Sequence, residues 1–121
     1  MAFRNERIAP GVRQFVEMYR RTYGSEPRSG HSLANYAGAR ICFDAVQRAG
    51  GTDKDRIRAA MLASDVAEGT TPTGWGARFD ETGQNQRARP FLMQWQDGRL
   101  VTVAPTEAAV APLRPGFGKP G

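Results

Sequence analysis

Histidine and cysteine are nearly missing from this chain: 121 residues hold one of each, His31 and Cys42. A lone cysteine excludes an internal disulfide and leaves cytosol and periplasm both open. With one histidine, no cysteine pair and no carboxylate cluster at ligand spacing, no metal site and no cofactor are expected. The parts of an enzyme are missing too. Ser25, Ser29, Ser32 and Ser64 lie in no G-x-S-x-G elbow. The stretch GTTPTGWG, residues 69–76, lacks the Lys-Ser/Thr of a phosphate-binding loop. No catalytic residue is nominated, and the chain is not expected to be an enzyme.

Long apolar runs and clustered charge are also lacking. No window approaches the length of a membrane span. The opening MAFRNERIAPG carries no apolar core of a secretion signal, so the expectation for the chain expressed as written is the cytoplasm. Seventeen Lys and Arg against twelve Asp and Glu give a formal charge of +5, but Arg20–Arg21 is the one adjacent basic pair. Dispersed arginines without interleaved aromatics point to a solvated surface, not a nucleic-acid groove. The 40% hydrophobic and 24% charged content is an ordinary soluble balance. A chain of this length is one domain or less; it buries a modest core but cannot hold two lobes with a cleft between them.

What is present is periodic. Residues 1–9 are short and polar, and Pro10 suits the first turn of a helix. Val12, Phe15, Val16, Tyr19 and Tyr23 then repeat at helical spacing, with Glu17 placed to pair with Arg13 or Arg21. Gly24 and Pro27 end that helix. A second helix is expected from about Ser32 to Ala49, stopped by Gly50-Gly51. Apart from a stripe of Arg40, Asp44, Gln47 and Arg48 it is apolar or small, which predicts packing on several sides and an inert, buried Cys42. Thr52 or Asp53 caps a third helix with Ile57, Ala60 and Met61 on its inner face, ending near Ser64.

Strands follow. Trp75–Phe79 reads as a short strand and Asp80-Glu81-Thr82-Gly83 as a turn. Arg89–Gln96 and Arg99–Ala104 flank Asp97-Gly98, a strong hairpin signal. The two-residue loop pairs Trp95 with Leu100, Met93 with Thr102 and Phe91 with Ala104. Trp75 and Trp95 are both expected in the core. The rest of the chain is rich in Pro, Gly and Ala and reads as an extended tail. His31, just ahead of the second helix, is either a solvated loop residue or part of a helix N-terminus that offers N–H groups to a ligand carboxylate. The segment His31–Tyr36 is kept as a candidate on that ground.

Five stretches in order resemble one family. Phe15-x3-Tyr19-x3-Tyr23-Gly24-x-Glu26-Pro27 comes first, then Tyr36 onward to Phe43-Asp44-Ala45-Val46-x2-Ala49-Gly50. Asp53-x3-Ile57-Arg58-x-Ala60 and Phe79-Asp80-Glu81-x-Gly83-Gln84-Asn85 follow, and Gln94-x3-Gly98 through Val101-x-Val103-x-Pro105 closes the series. Together, over about residues 12–105, they are similar to the C-terminal end of type I solute-binding proteins of ABC importers, the leucine and branched-chain amino-acid class.

The resemblance implies an α/β fold, here a partial type I periplasmic-binding-protein fold of three helices, a short strand and a β-hairpin, incomplete on its own. It divides the chain into a polar segment 1–9, the C-terminal part of a solute-binding domain over 10–105 and a Pro/Gly-rich tail over 106–121. It implies a periplasmic location for the full-length protein, an amino-acid-like solute (amides and aromatic acids included) and an ABC permease as partner. It puts a cleft residue at about His31, where relatives often carry an aromatic, and Asn35 and Tyr36 complete the ligand-binding candidates. On this reading the chain alone binds no amino acid, and surfaces meant for the interior face water: Leu33, Tyr36, Ile41 and Phe43 on the second helix and Phe91, Met93 and Trp95 on the hairpin. The reading from another class is a free-standing small α+β protein that dimerises through an exposed apolar face.

Overall fold

The structure, a computed structural model, describes residue 9 and residues 11–116; Pro10 and the segment 1–8 lie outside the described residues. The chain divides into two compact units, with the boundary between Arg89 and Pro90.

The first unit contains α1 (Val12–Tyr23), α2 (Gly30–Ala49), α3 (Lys54–Leu62) and two short strands, β1 (Asp65–Val66) and β2 (Ala77–Arg78). In α1 the apolar residues at i, i+3 and i+4, Val12, Phe15 and Val16, are buried and the opposite face is charged. Glu17 takes Arg13 as its partner, at 3.3 Å. Gly24 adopts φ 70° and donates its N–H to the Arg20 carbonyl, a left-handed stop that a side chain would strain. The core here is Ala9, Val12, Phe15, Val16 and Leu33, with Tyr19 and Tyr36 packed against it. Tyr23, the last of the expected stripe, is exposed and its ring meets Tyr19 at a tilt of 47°, with centroids 4.5 Å apart.

α2 begins at Gly30, earlier than expected, and ends at Ala49, with Gly50 in the left-handed region. Its buried residues are Leu33, Ala37, Ala45 and Ala49, all on a four-residue spacing. From Leu33 to Ala49 this row turns about 160° round the helix. The outer flank is left bare: Cys42, read as buried, is exposed, and Phe43 is 71% exposed, as expected of a surface meant for the interior. Leu33, expected to face water with it, is 3% exposed because α1 covers it. The reason for the bare flank is a shortage of neighbours. The first turns of α2 meet α1 through Phe15 and Tyr36, and α3 packs along the same helix. Nothing among the described residues covers its outer flank. Asp53, not Thr52, caps α3, its carboxylate accepting the Arg56 N–H at 2.9 Å. Arg48 joins the ends of α2 and α3 by donating to the Ser64 hydroxyl at 2.7 Å.

The expected strand Trp75–Phe79 contracts to Ala77–Arg78, which pairs antiparallel with Asp65–Val66, a strand the sequence reading does not assign. Phe79 makes one further bridge, to Asn85. Gly76 sits where the chain crosses itself: a Cβ there would lie 2.3 Å from the Val66 carbonyl oxygen and 2.7 Å from Arg87 Cδ. Arg87 fills that space, donating to the Val66 carbonyl and pairing with Asp65, each at 2.6 Å. Asn85 ties the loop from the other side, accepting the N–H groups of Arg78 and Arg87 and donating to the Gly76 carbonyl.

The second unit is a hairpin, β3 (Leu92–Gln96) and β4 (Arg99–Ala104), turning at Asp97-Gly98. Both turn residues have positive φ, 51° and 73°, as a two-residue type I′ turn requires. Trp95 pairs with Leu100 and Met93 with Thr102, as the loop length dictates. Beyond them the register shifts. Leu92, not Phe91, lies opposite Ala104, so Val103 is an extra residue on β4 and is buried. Trp95 is 70% exposed, which corrects its expected place in the core and agrees with the expectation that this face of the hairpin meets water.

The residues after the hairpin do not run away from it. Val110 donates to the Thr102 carbonyl, and Gln96 Nε2 donates to the Pro112 carbonyl, both at 2.9 Å. Gln94 acts on Arg114 as a strand would: its Nε2 donates to the Arg114 carbonyl and its Oε1 accepts the Arg114 N–H. The Arg114 guanidinium then grips both oxygens of Asp97, at 2.9 and 2.7 Å. Ala108 and Gln96 are buried as a result of this return.

Candidate functional site

The candidate residues belong to the first two turns of α2. Ser29 stands at the N-cap in extended backbone and makes no side-chain capping bond. Its early helix N–H groups therefore keep the donor capacity that attracts anions to helix starts. His31 lies within the first turn and not in a loop before it, because the helix begins at Gly30. His31 and Asn35, four residues apart, share one face, and both are exposed. Tyr36 is turned away from them. It is half-buried, and its ring meets Phe15 at a centroid distance of 5.1 Å. The structure thus brings His31 and Asn35 together and places Tyr36 against the core.

On the Tyr36 side, α1 and α2 enclose an open groove of about 420 Å³. Phe15, Met18 and Tyr36 give it an apolar surface, and Arg21, Arg40 and Gln14 line it with polar groups. His31 and Asn35 do not line it. Sequence reasoning assigned Arg21 and Arg40 to the outer faces of their helices; periodicity reports which face a residue occupies but not that two such faces converge. Among the described residues, no group of three or more His, Cys, Asp or Glu could hold a metal ion. No helix among them is long and apolar enough to cross a membrane.

A family profile described as periplasmic binding protein matches residues 1–99. The Leu/Ile/Val-binding protein homolog 8 of Brucella abortus (strain 2308) is 48% identical over 110 residues, which is 91% of this chain and 27% of that protein. The Leu/Ile/Val-binding protein homolog 7 of Brucella suis biovar 1 (strain 1330) is 46% identical over the same length, 91% of this chain and 28% of its own. The chain therefore spans little more than a quarter of the curated relatives it matches. Among solved structures, the leucine-binding protein LivK of Thermotoga maritima MSB8 superposes with a TM-score of 0.65 at 22% identity, over 86% of this chain and 29% of that one. That likeness identifies the three helices and short antiparallel strands as part of a periplasmic-binding-protein fold of the α/β class. With the profile covering most of its length, the chain belongs to the periplasmic binding protein family.

Proposed function

We propose that this chain is the C-terminal part of the substrate-binding component of an ABC importer for amino acids or related small solutes, amides and aromatic acids among them. The observation that carries this reading is 48% identity over 91% of the chain to a Leu/Ile/Val-binding protein homologue. On this reading the whole protein works in the periplasm, hands its solute to an ABC permease and catalyses nothing. His31, Asn35 and the first-turn N–H groups of α2 form one wall of the solute cleft, with Tyr36 bracing that wall through Phe15. One wall is not a site. A small zwitterion is held tightly only when groups from both sides exclude water from its contacts.

The test is calorimetry on two proteins, the chain alone and the chain joined to the upstream three-quarters of its Brucella abortus relative. Leucine, valine and glutamine serve as ligands. The chain alone is expected to give no heat of binding, and the joined protein to bind at least one of them. In the joined protein, His31→Ala is expected to weaken binding about tenfold, the loss of one good contact in a desolvated site. Micromolar binding by the chain alone would overturn the reading.

A second reading, a small self-associating α+β protein, is favoured by the 71% exposure of Phe43. It predicts a discrete dimer in sedimentation that Phe43→Ser dissociates.

A further inference from the structure

The groove between α1 and α2 is lined by two arginines and, among the described residues, by no carboxylate. Four other arginines of that unit meet carboxylates, Arg13 with Glu17, Arg20 with Glu26, Arg87 with Asp65 and Arg89 with Glu68. Arg21 and Arg40 both line the groove, and among the described residues neither pairs with a carboxylate. The bond Arg21 does make is from Nε to the Glu17 carbonyl, at 3.4 Å. No Asp or Glu among the described residues lines the groove. Two guanidiniums around one concavity leave a positive potential that an anion cancels. Their planar donor forks match a carboxylate. Beside them lie the Phe15 and Tyr36 rings, 5.1 Å apart, and Met18, a surface suited to an apolar body. The volume, about 420 Å³, is that of a small-molecule site.

We propose that this groove binds a small organic anion, a carboxylate on an aromatic or branched apolar body, through Arg21 and Arg40. The carboxylate lies between the two guanidiniums and the body rests on Phe15 and Met18. The site is distinct from the cleft wall at His31 and Asn35 and does not rest on the solute-receptor reading. It uses the α1 side of the helix, and only the pair that braces the wall, Phe15 and Tyr36, is common to both. Bare charge does not make this site: acetate offers the same carboxylate without the body, and benzyl alcohol the body without the charge.

The experiment is a titration of the 121-residue chain, followed by backbone amide NMR, with benzoate, acetate and benzyl alcohol at constant ionic strength. Benzoate is expected to saturate with a Kd of about 1 mM or tighter, shifting Phe15, Met18, Arg21 and Tyr36. Acetate and benzyl alcohol are expected to bind about tenfold more weakly or worse. Arg21→Gln and Arg40→Gln each weaken benzoate about tenfold, the loss of a charge-assisted hydrogen bond. Arg58→Gln on α3, the same change in charge away from the groove, leaves it unchanged. Equal responses to acetate and benzoate, equal losses in all three variants or a lack of saturation would each overturn the proposal. So would a collapsed spectrum in which α1 and α2 do not form, since the groove exists only between them.

Discussion

The Asp80 carboxylate accepts four hydrogen bonds, from the Thr82 N–H and hydroxyl, the Gln84 N–H and the Gln86 amide, at 2.6–3.0 Å. It organises the loop that returns the chain from Phe79 to Asn85, and Gly83 supplies the positive φ of 87° that closes the turn. The bond from the Thr82 hydroxyl, followed by that from the Gln84 N–H, holds the carboxyl below its ordinary pKa. A depressed folded-state pKa stabilises the loop above the unfolded value, and that contribution is lost as pH falls through the folded one. The amides of Thr82 and Gln84 are therefore expected to lose exchange protection on acidification below about pH 4. In Asp80→Asn, which keeps an acceptor but does not ionise, that step disappears. An unchanged pH profile in the variant would show that another group governs the loop.

Among the elements, α2 separates what its residues announce from what they do not. Its stop at Gly50 follows from sequence, as do the Gly24 stop of α1 and the type I′ turn at Asp97-Gly98. All of these are local: a residue and its neighbours three or four positions away decide them. Exposure of Cys42 was not legible from its apolar neighbours, whereas that of Phe43 and Trp95 follows from the resemblance to part of a longer protein. Leu33, given the same expectation, is buried, because an apolar residue reads the same whether its partner is present or not. The pairing of Asp65–Val66 with Ala77–Arg78 escaped for a related reason, since a two-residue strand has no periodicity and is held by Arg87 twenty-one positions away. The register shift at Val103 is likewise set by packing. At the candidate site, sequence marked His31, Asn35 and Tyr36 but not that Tyr36 would turn toward Phe15 or that Arg21 and Arg40 would converge. Two substitutions in α2 separate its faces. Leu33→Ala removes a side chain of 3% exposure from the α1 contact, and is expected to lower hydrogen-exchange protection across α1 and α2 by up to about 2–5 kcal/mol. Phe43→Ser, on the uncovered flank, is expected to change protection by less than about 0.5 kcal/mol. Comparable losses from both would mean that the flank is covered after all.

At the scale of the whole molecule, a thin core and uncovered apolar surface act together. Of eleven buried apolar side chains among the described residues, six are alanines, which remove little area from water. The larger ones are Val12, Phe15, Val16 and Leu33 in the first unit and Val103 in the second. Each is worth roughly 1.5–3 kcal/mol when buried, against a backbone ordering cost of about 1–2 kcal/mol for every residue fixed. Meanwhile Phe43 and Tyr23 in the first unit, and Leu92, Trp95, Val110 and Leu113 in the second, are more than half exposed. Several of these would gain by meeting another surface, and contiguous exposed apolar area drives association. The relatives it matches are nearly four times as long, since this sequence covers only 27% of their length. The purified 121-residue chain is therefore expected to melt broadly in calorimetry and to associate as concentration rises. The same residues joined to the upstream part of a relative are expected to melt in one sharp transition, with Trp95 fluorescence shifted to the blue as its ring leaves water. A monodisperse monomer of the chain alone with a sharp transition would show that the alanine-rich core suffices, and that these six side chains face water in the working protein.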